Sequence, residues 1–291
     1  MSIPAPRRRF VDANGLQHHV LEWNDSVSDT TVVLLHGFLD LSWSFARVAP
    51  RLAQNYHVVA PDFRGHGDTQ WVAAGGYYYF PDYILDLARL LPQLTRNRVY
   101  IVGHSMGGTV ATYYTGLFPE RVQKLVLLEG IGPPADDPAN APQRVLEHLR
   151  TVDTVRTRKP RVLKTLDEAV EALTHIYPRV DMQLLREYAE HATRPATVAS
   201  EGSLQWKYDP LHRTRSPMPF DDRVFASFIR RIDCPVLLVD SADAIDAGTT
   251  NTARQALYTT AEKRVLADAG HMMQLDQPTS LAEMVLEFLA A

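Results

Sequence analysis

Ser105 stands in Gly103-His104-Ser105-Met106-Gly107-Gly108, directly after the β-branched and apolar run Val99–Val102 and before a helix-compatible stretch that begins at Thr109. A serine between a strand and a helix, flanked by glycines, marks a sharp turn that lifts a hydroxyl into a cleft. Side chains at Gly103 and Gly107 would crowd that turn. The helix that follows aims free N–H groups at the same place, where they can hold a developing oxyanion. The chemistry implied is nucleophilic attack, and a hydroxyl nucleophile needs a base. His271, in Ala269-Gly270-His271-Met272-Met273 after the last apolar run, is placed to take the proton and return it to a leaving group. The imidazole in turn needs a carboxylate that fixes its tautomer and stabilises the imidazolium. Glu129 directly follows Val122–Leu128, and Asp243 follows Pro235–Val239 by a few residues. Both keep the chain order serine, acid, histidine, and spacing leaves the two open. Asp240, still on its strand, and Asp246, further into the loop, are weaker options. An oxyanion hole needs two donors. One is the N–H of Met106, and the other comes from His36-Gly37-Phe38, most directly the N–H of Phe38. His36 and His104 read as supports of their turns.

These residues need a scaffold. Thr31–Leu35 is a continuous apolar run, as a strand covered on both faces is, and Tyr56–Ala60, Val99–Val102 and Val122–Leu128 read as further buried strands. Between them lie helical stretches, about Trp43 to Gln54, Tyr77–Leu94 and Thr109–Phe118. The alternation predicts a parallel sheet with helices on both faces. Phe10–Asn24 reads as a hairpin turning at Asn14-Gly15. From about Ile131 to Ile232 no buried strand is expected. Amphipathic stripes replace it: Leu166, Val170, Leu173 and Tyr177 behind a capping box at Thr165 and Glu168; Met182, Leu185 and Ala189; and Val224, Phe225, Phe228 and Ile232. Strands resume at Pro235–Val239 and Lys263–Ala267, and Ser280–Leu289 is a helix opened by Ser280 and Glu283. The organisation expected is an α/β core over residues 1–130 and 233–291, with a helical cap inserted at 131–232. Trp206, Tyr208 and Tyr77–Phe80 are candidates for the apolar wall of a substrate pocket beneath that cap.

The bulk composition excludes several classes. The chain has 291 residues, 45% hydrophobic and 22% charged, with a net charge of −4, which gives no electrostatic case for nucleic acid or an anionic membrane surface. The basic run Arg7–Arg9 is short and reads as a solvated terminus. Cys234 is the only cysteine, so no internal disulfide forms, and it reads as a small core residue. Eleven histidines raise the question of a metal, but no H-x-x-x-H pair or cysteine cluster occurs, and His18 and His19 fall on opposite faces of a strand. No metal or cofactor is expected. The N-terminus has no apolar stretch after its charges and no run approaches a membrane span, so a cytoplasmic location is expected.

Four segments, His36–Phe38, Pro61–Thr69 (PDFRGHGDT), Gly103–Gly108 and Ala269–Pro278 (AGHMMQLDQP), occur in an order that resembles the α/β-hydrolase fold. The resemblance implies a mostly parallel eight-stranded sheet with an inserted helical cap, and a serine hydrolase or esterase without a cofactor. Arg64-Gly65-His66-Gly67 would then shape the site from behind. Relatives often carry a Gly-x-x-Asp turn whose aspartate is the acid. Here that stretch reads Asp240-Ser241-Ala242-Asp243-Ala244, so Ser241 replaces the glycine and Ala244 the aspartate. Other branches place the acid where Glu129 stands, and the cap and acid arrangement look similar to the serine hydrolase-like proteins. The resemblance therefore favours Glu129 over Asp243. The expected activity is cleavage of a small-molecule carboxylic ester or thioester, with an apolar part, through an acyl-enzyme on Ser105. Carbon–carbon bond hydrolysis or lyase chemistry, and slow-turnover ligand binding, are the alternatives.

Overall fold

The computed structural model describes residues 5–25, 28–157, 162–197, 202–246 and 251–291. Its strands are β1 Arg7–Ala13, β2 Leu16–Trp23, β3 Thr30–Leu35, β4 His57–Pro61, β5 Arg98–His104, β6 Val122–Leu128, β7 Thr193–Pro195, β8 Leu204–Trp206, β9 Val236–Ser241 and β10 Ala261–Leu266. Its α-helices are α1 Ala49–Leu52, α2 Phe80–Leu94, α3 Met106–Leu117, α4 Ala141–Thr157, α5 Leu166–Ile176, α6 Met182–Ala192, α7 Asp222–Ile229, α8 Ala242–Asp246, α9 Thr252–Gln255, α10 Met273–Asp276 and α11 Pro278–Ala290. Eight strands form one sheet in the order β1-β2-β4-β3-β5-β6-β9-β10. Pairing is antiparallel for β1–β2 and β2–β4 and parallel elsewhere.

The continuous apolar strands are explained by which face each residue meets. Along β3, Val33 and Leu35 enter one buried cluster with Leu87 and Leu90 of α2, Val110 and Tyr114 of α3, and Phe225 of α7. Val32 and Leu34 enter the other, with Leu52 of α1 and Leu281, Val285 and Leu289 of α11. A strand sandwiched in this way gains nothing from polar alternation. The chain passes from β3 outward to β4 and then returns to place β5 on the other side of β3. The crevice beyond the carboxyl ends of β3 and β5 is therefore a topological switch point, where open α/β sheets place their ligands.

The hairpin turn forms as expected, with Asn14 at φ 52° and Gly15 at φ 75°, as a two-residue type I′ connection needs. Several boundaries differ. The expected helix from Trp43 to Gln54 is a 3₁₀ turn at Ser42–Phe45 followed by the four-residue α1, with Pro50 in its first turn, where a missing N–H does no harm. The helix expected from Tyr77 starts at Phe80, and the last helix starts at Pro278, so Ser280 and Glu283 lie inside it rather than capping it. The segment expected to lack a buried strand holds two short, partly exposed strands, β7 and β8, paired antiparallel. Met182 and Val224 turn outward rather than into their stripes, and Cys234 is half-buried rather than a core residue. The Thr165 cap is present, its hydroxyl accepting the Glu168 N–H at 3.3 Å. His18 and His19 do face opposite ways: His18 lies 3.8 Å from Asp86, and His19 bonds Asp62 at 2.7 Å. No described helix is long and apolar enough to cross a membrane.

A third buried cluster joins α5 and α6 (Val170, Leu173, Leu185, Tyr188) to Leu41, three residues past Phe38, and to Met272, next to His271. The segment between β6 and β9 thus packs onto two of the loops that carry the candidate chemistry.

Candidate active site

The site is assembled at the carboxyl ends of β3, β5 and β6 and on the connection after β10. Ser105 donates its N–H to Leu128 O at 2.9 Å, one rung beyond the end of β5, and then turns at φ 50°, ψ −116° into α3. Such a backbone is strained for a residue with a Cβ and persists only where the surroundings hold it. Gly107 shows how tight the turn is: a Cβ there would stand 2.2 Å from Leu35 O and 2.6 Å from His36 O. Gly37 brings the loop after β3 against the elbow, since a Cβ built on it would lie 2.9 Å from His104 Nδ1 and 3.4 Å from Ser105 Cβ. Among the described residues neither Phe38 N–H nor Met106 N–H has an intramolecular acceptor. Asp40 shapes this loop from inside. Its buried carboxylate accepts from Leu41 N–H (2.8 Å), Gly37 N–H (3.3 Å), Ser44 Oγ (2.9 Å) and Tyr188 Oη of α6 (2.8 Å).

Glu129 repeats the geometry of Ser105 on the neighbouring strand. Its N–H donates to Val239 O at 3.0 Å, and its φ is 48°. Its side chain divides the labour of its two oxygens. Oε2 accepts from His271 Nδ1 at 2.6 Å, while Oε1 accepts from Ser241 N–H at 3.0 Å and from the Ser241 hydroxyl. Burial opposes the charge, but the bonds from His271 and Ser241 outweigh it and hold the Glu129 carboxyl down to about 2. A carboxylate on Nδ1 leaves Nε2 as the basic nitrogen of a neutral imidazole.

His104 fastens the His271 loop to the elbow. Its Nε2–H donates to His271 O at 2.7 Å, its Nδ1 accepts from Gln274 Nε2 at 3.2 Å, and the two imidazole centroids lie 4.8 Å apart. Both nitrogens of His104 are thereby used by its neutral form, and burial together with His271 lowers it to about 3. His36 is likewise held at both nitrogens, by Gly37 O (2.7 Å) and Phe63 N–H (2.9 Å).

Asp243 does not reach the histidine. It lies in the short helix α8 and makes a two-pronged ion pair with Arg179, at 2.7 and 2.5 Å. Asp240 is on β9 and accepts from Gln255 at 2.7 Å, and the side chain of Asp246 lies outside the described residues. Trp206 stacks on Tyr208 at 6.2 Å. Tyr78 reaches the loop after β3 indirectly, packing on His212 (3.9 Å), which packs edge-on against Phe38 (6.0 Å). Sequence reasoning assigned no role to Ser241, Gln274, Asp40 or Tyr188. Of these, only Ser241 left a signal, as a serine in place of the expected glycine.

The buried histidines make stability pH-dependent. Burial lowers His66, His104 and His212, the last two to about 3. Below an unfolded value near 6.5 the unfolded chain binds protons that the folded chain refuses, so stability falls as pH drops. The slope reaches about 1.4 kcal/mol per pH unit for each histidine. Glu129 and Asp62, both held to about 2, add to the loss below about pH 4.5. Calorimetric unfolding between pH 8 and pH 4 should show the midpoint falling from about pH 6.5 downward; a midpoint that stays level to pH 4 contradicts this account.

Residues 30–278 match the family described as the alpha/beta hydrolase fold. Serine hydrolase-like protein 2 of Homo sapiens is 26% identical over 285 residues, covering 91% of this chain and 88% of that protein. A serine hydrolase-like protein of Danio rerio is 34% identical over 167 residues, covering 56% of this chain and 51% of the relative, so the match spans about half its length. A hypothetical protein of Pseudomonas aeruginosa PAO1, known as a crystal structure, superposes with a TM-score of 0.85 at 28% identity, covering 99% of this chain and all of that one.

Proposed function

The chain belongs to the α/β-hydrolase fold family, and from that premise we propose that it is a serine hydrolase cleaving a carboxylic ester or thioester through an acyl-enzyme. The observation that carries this reading is the 2.6 Å bond between Glu129 and His271 on a loop tied to the Ser105 elbow. Ser105 Oγ attacks the substrate carbonyl as His271 Nε2 takes its proton. The N–H groups of Phe38 and Met106 hold the oxyanion, and Glu129 stabilises the imidazolium. Collapse of the tetrahedral intermediate expels the alcohol or thiol, which receives the proton from His271. Water, deprotonated by the same nitrogen, then attacks the acyl-enzyme and releases the acid with Ser105 restored. The segment 131–232 serves as the roof of the cleft, and the packing of α5 and α6 on Leu41 and Met272 supports that role. The names of the serine hydrolase-like relatives accord with the reading.

The test is intact-mass analysis after treatment with a small fluorophosphonate, with hydrolysis of short- and medium-chain p-nitrophenyl esters and acyl thioesters followed in parallel. Wild type should gain one adduct. Ser105→Ala should gain none and should lose turnover by about 10³-fold or more. Folded wild-type protein that takes no adduct and cleaves neither substrate class overturns the reading.

A further inference from the structure

We propose that Ser241 is the positioning residue of the candidate acid, fixing one oxygen of Glu129 so that the other is presented to His271. This rests on the reading of Glu129 as the partner of the base. Ser241 closes β9, is buried, and gives Glu129 Oε1 two donors, its backbone N–H at 3.0 Å and its hydroxyl. The direction of the hydroxyl is itself set, because Ser241 Oγ accepts the Ala244 N–H at 3.1 Å. Its proton is left for Glu129. A carboxylate held at a single oxygen swings about its last torsion, which is broad and roughly two-fold. Held at both oxygens, it keeps Oε2 on Nδ1. The serine also stands where the resemblance expects the glycine of an acid-bearing turn. The strand end that does not supply the acid supplies the donors that aim it.

The experiment compares Ser241→Ala and Ser241→Thr in the wild-type and Glu129→Gln backgrounds. The readouts are kcat, KM, the rate of fluorophosphonate labelling, and the far-downfield proton resonance of the His271 Nδ1–H bond. Ser241→Ala keeps the backbone donor and should lower kcat and labelling about tenfold, the loss expected for one charge-assisted hydrogen bond, with KM within about twofold. The downfield proton should weaken or exchange faster. Ser241→Thr, which keeps a hydroxyl, should recover most of the rate. In the Glu129→Gln background the alanine change should cost less than about twofold, because the partner it acts through is already impaired. An equal loss in both backgrounds, with an unchanged downfield proton, assigns Ser241 a merely structural role and overturns the inference. An active Ser241→Ala beside a crippled Glu129→Gln overturns it too, leaving the acid assignment standing. A fully active Glu129→Gln overturns both.

Discussion

Glu129→Gln is expected to lower turnover by about 10³–10⁴-fold, while Asp243→Asn stays within about threefold of wild type. Charge loss is only part of the reason. Ser241 presents two donors to the Oε1 position, so a glutamine must place its carbonyl there to satisfy them. Its NH₂ then faces His271 Nδ1, which has to become an acceptor, and the imidazole proton moves to Nε2. That tautomer cannot take a proton from Ser105. Asp243 lies in an ion pair with Arg179 in which both side chains are nearly half exposed, and such pairs are worth about 0–1 kcal/mol. Steady-state kinetics on a cleaved ester, with labelling rates as a second measure, decide the matter. A severe loss confined to Asp243→Asn would transfer the role to that residue.

The second large effect concerns folding. Gly107→Ala should destabilise the protein by about 4 kcal/mol or more, lowering its melting temperature by roughly 6 °C or more, or preventing folded protein from accumulating. The added methyl would meet backbone oxygens of Leu35 and His36 rather than a mobile side chain. Relief would require separating α3 from the end of β3, and that contact also sets Ser105 beside the loop of Phe38. A scanning measurement placing Gly107→Ala within about 3 °C of wild type would show that the turn is looser than described.

What the sequence made legible, and what it did not, follows from where the information lies. The candidate elbow, the candidate histidine and the buried parallel strands are local patterns: a serine between strand and helix signals, and apolar runs too continuous for a half-exposed sheet. The choice between Glu129 and Asp243 is not local. It depends on β6 lying between β5 and β9, an order that neither strand's residues encode. Only in the folded sheet does Glu129 lie beside both the elbow and Ser241. The broken helix after Trp43 could have been read from Pro50, whereas the outward turn of Val224 and Met182 depends on which neighbours their helices meet. Ser241 was visible as an exception to a resemblance, but its meaning required knowing what stands opposite it.

His271 follows Glu129 by 142 residues. A polypeptide is made from its N-terminus at about 5–20 residues per second, so Glu129 precedes His271 by roughly 7–28 s, and Ser105 and the loop of Phe38 precede it by longer. His271 is held on the connection after β10, an edge strand of the sheet that pairs only with β9. On the proposed reading, a half-made chain therefore carries a serine that His271 cannot yet deprotonate. On the same reading, reactivity arrives with the last layer of tertiary structure, so a refolding chain should recover its helical signal before it recovers fluorophosphonate labelling.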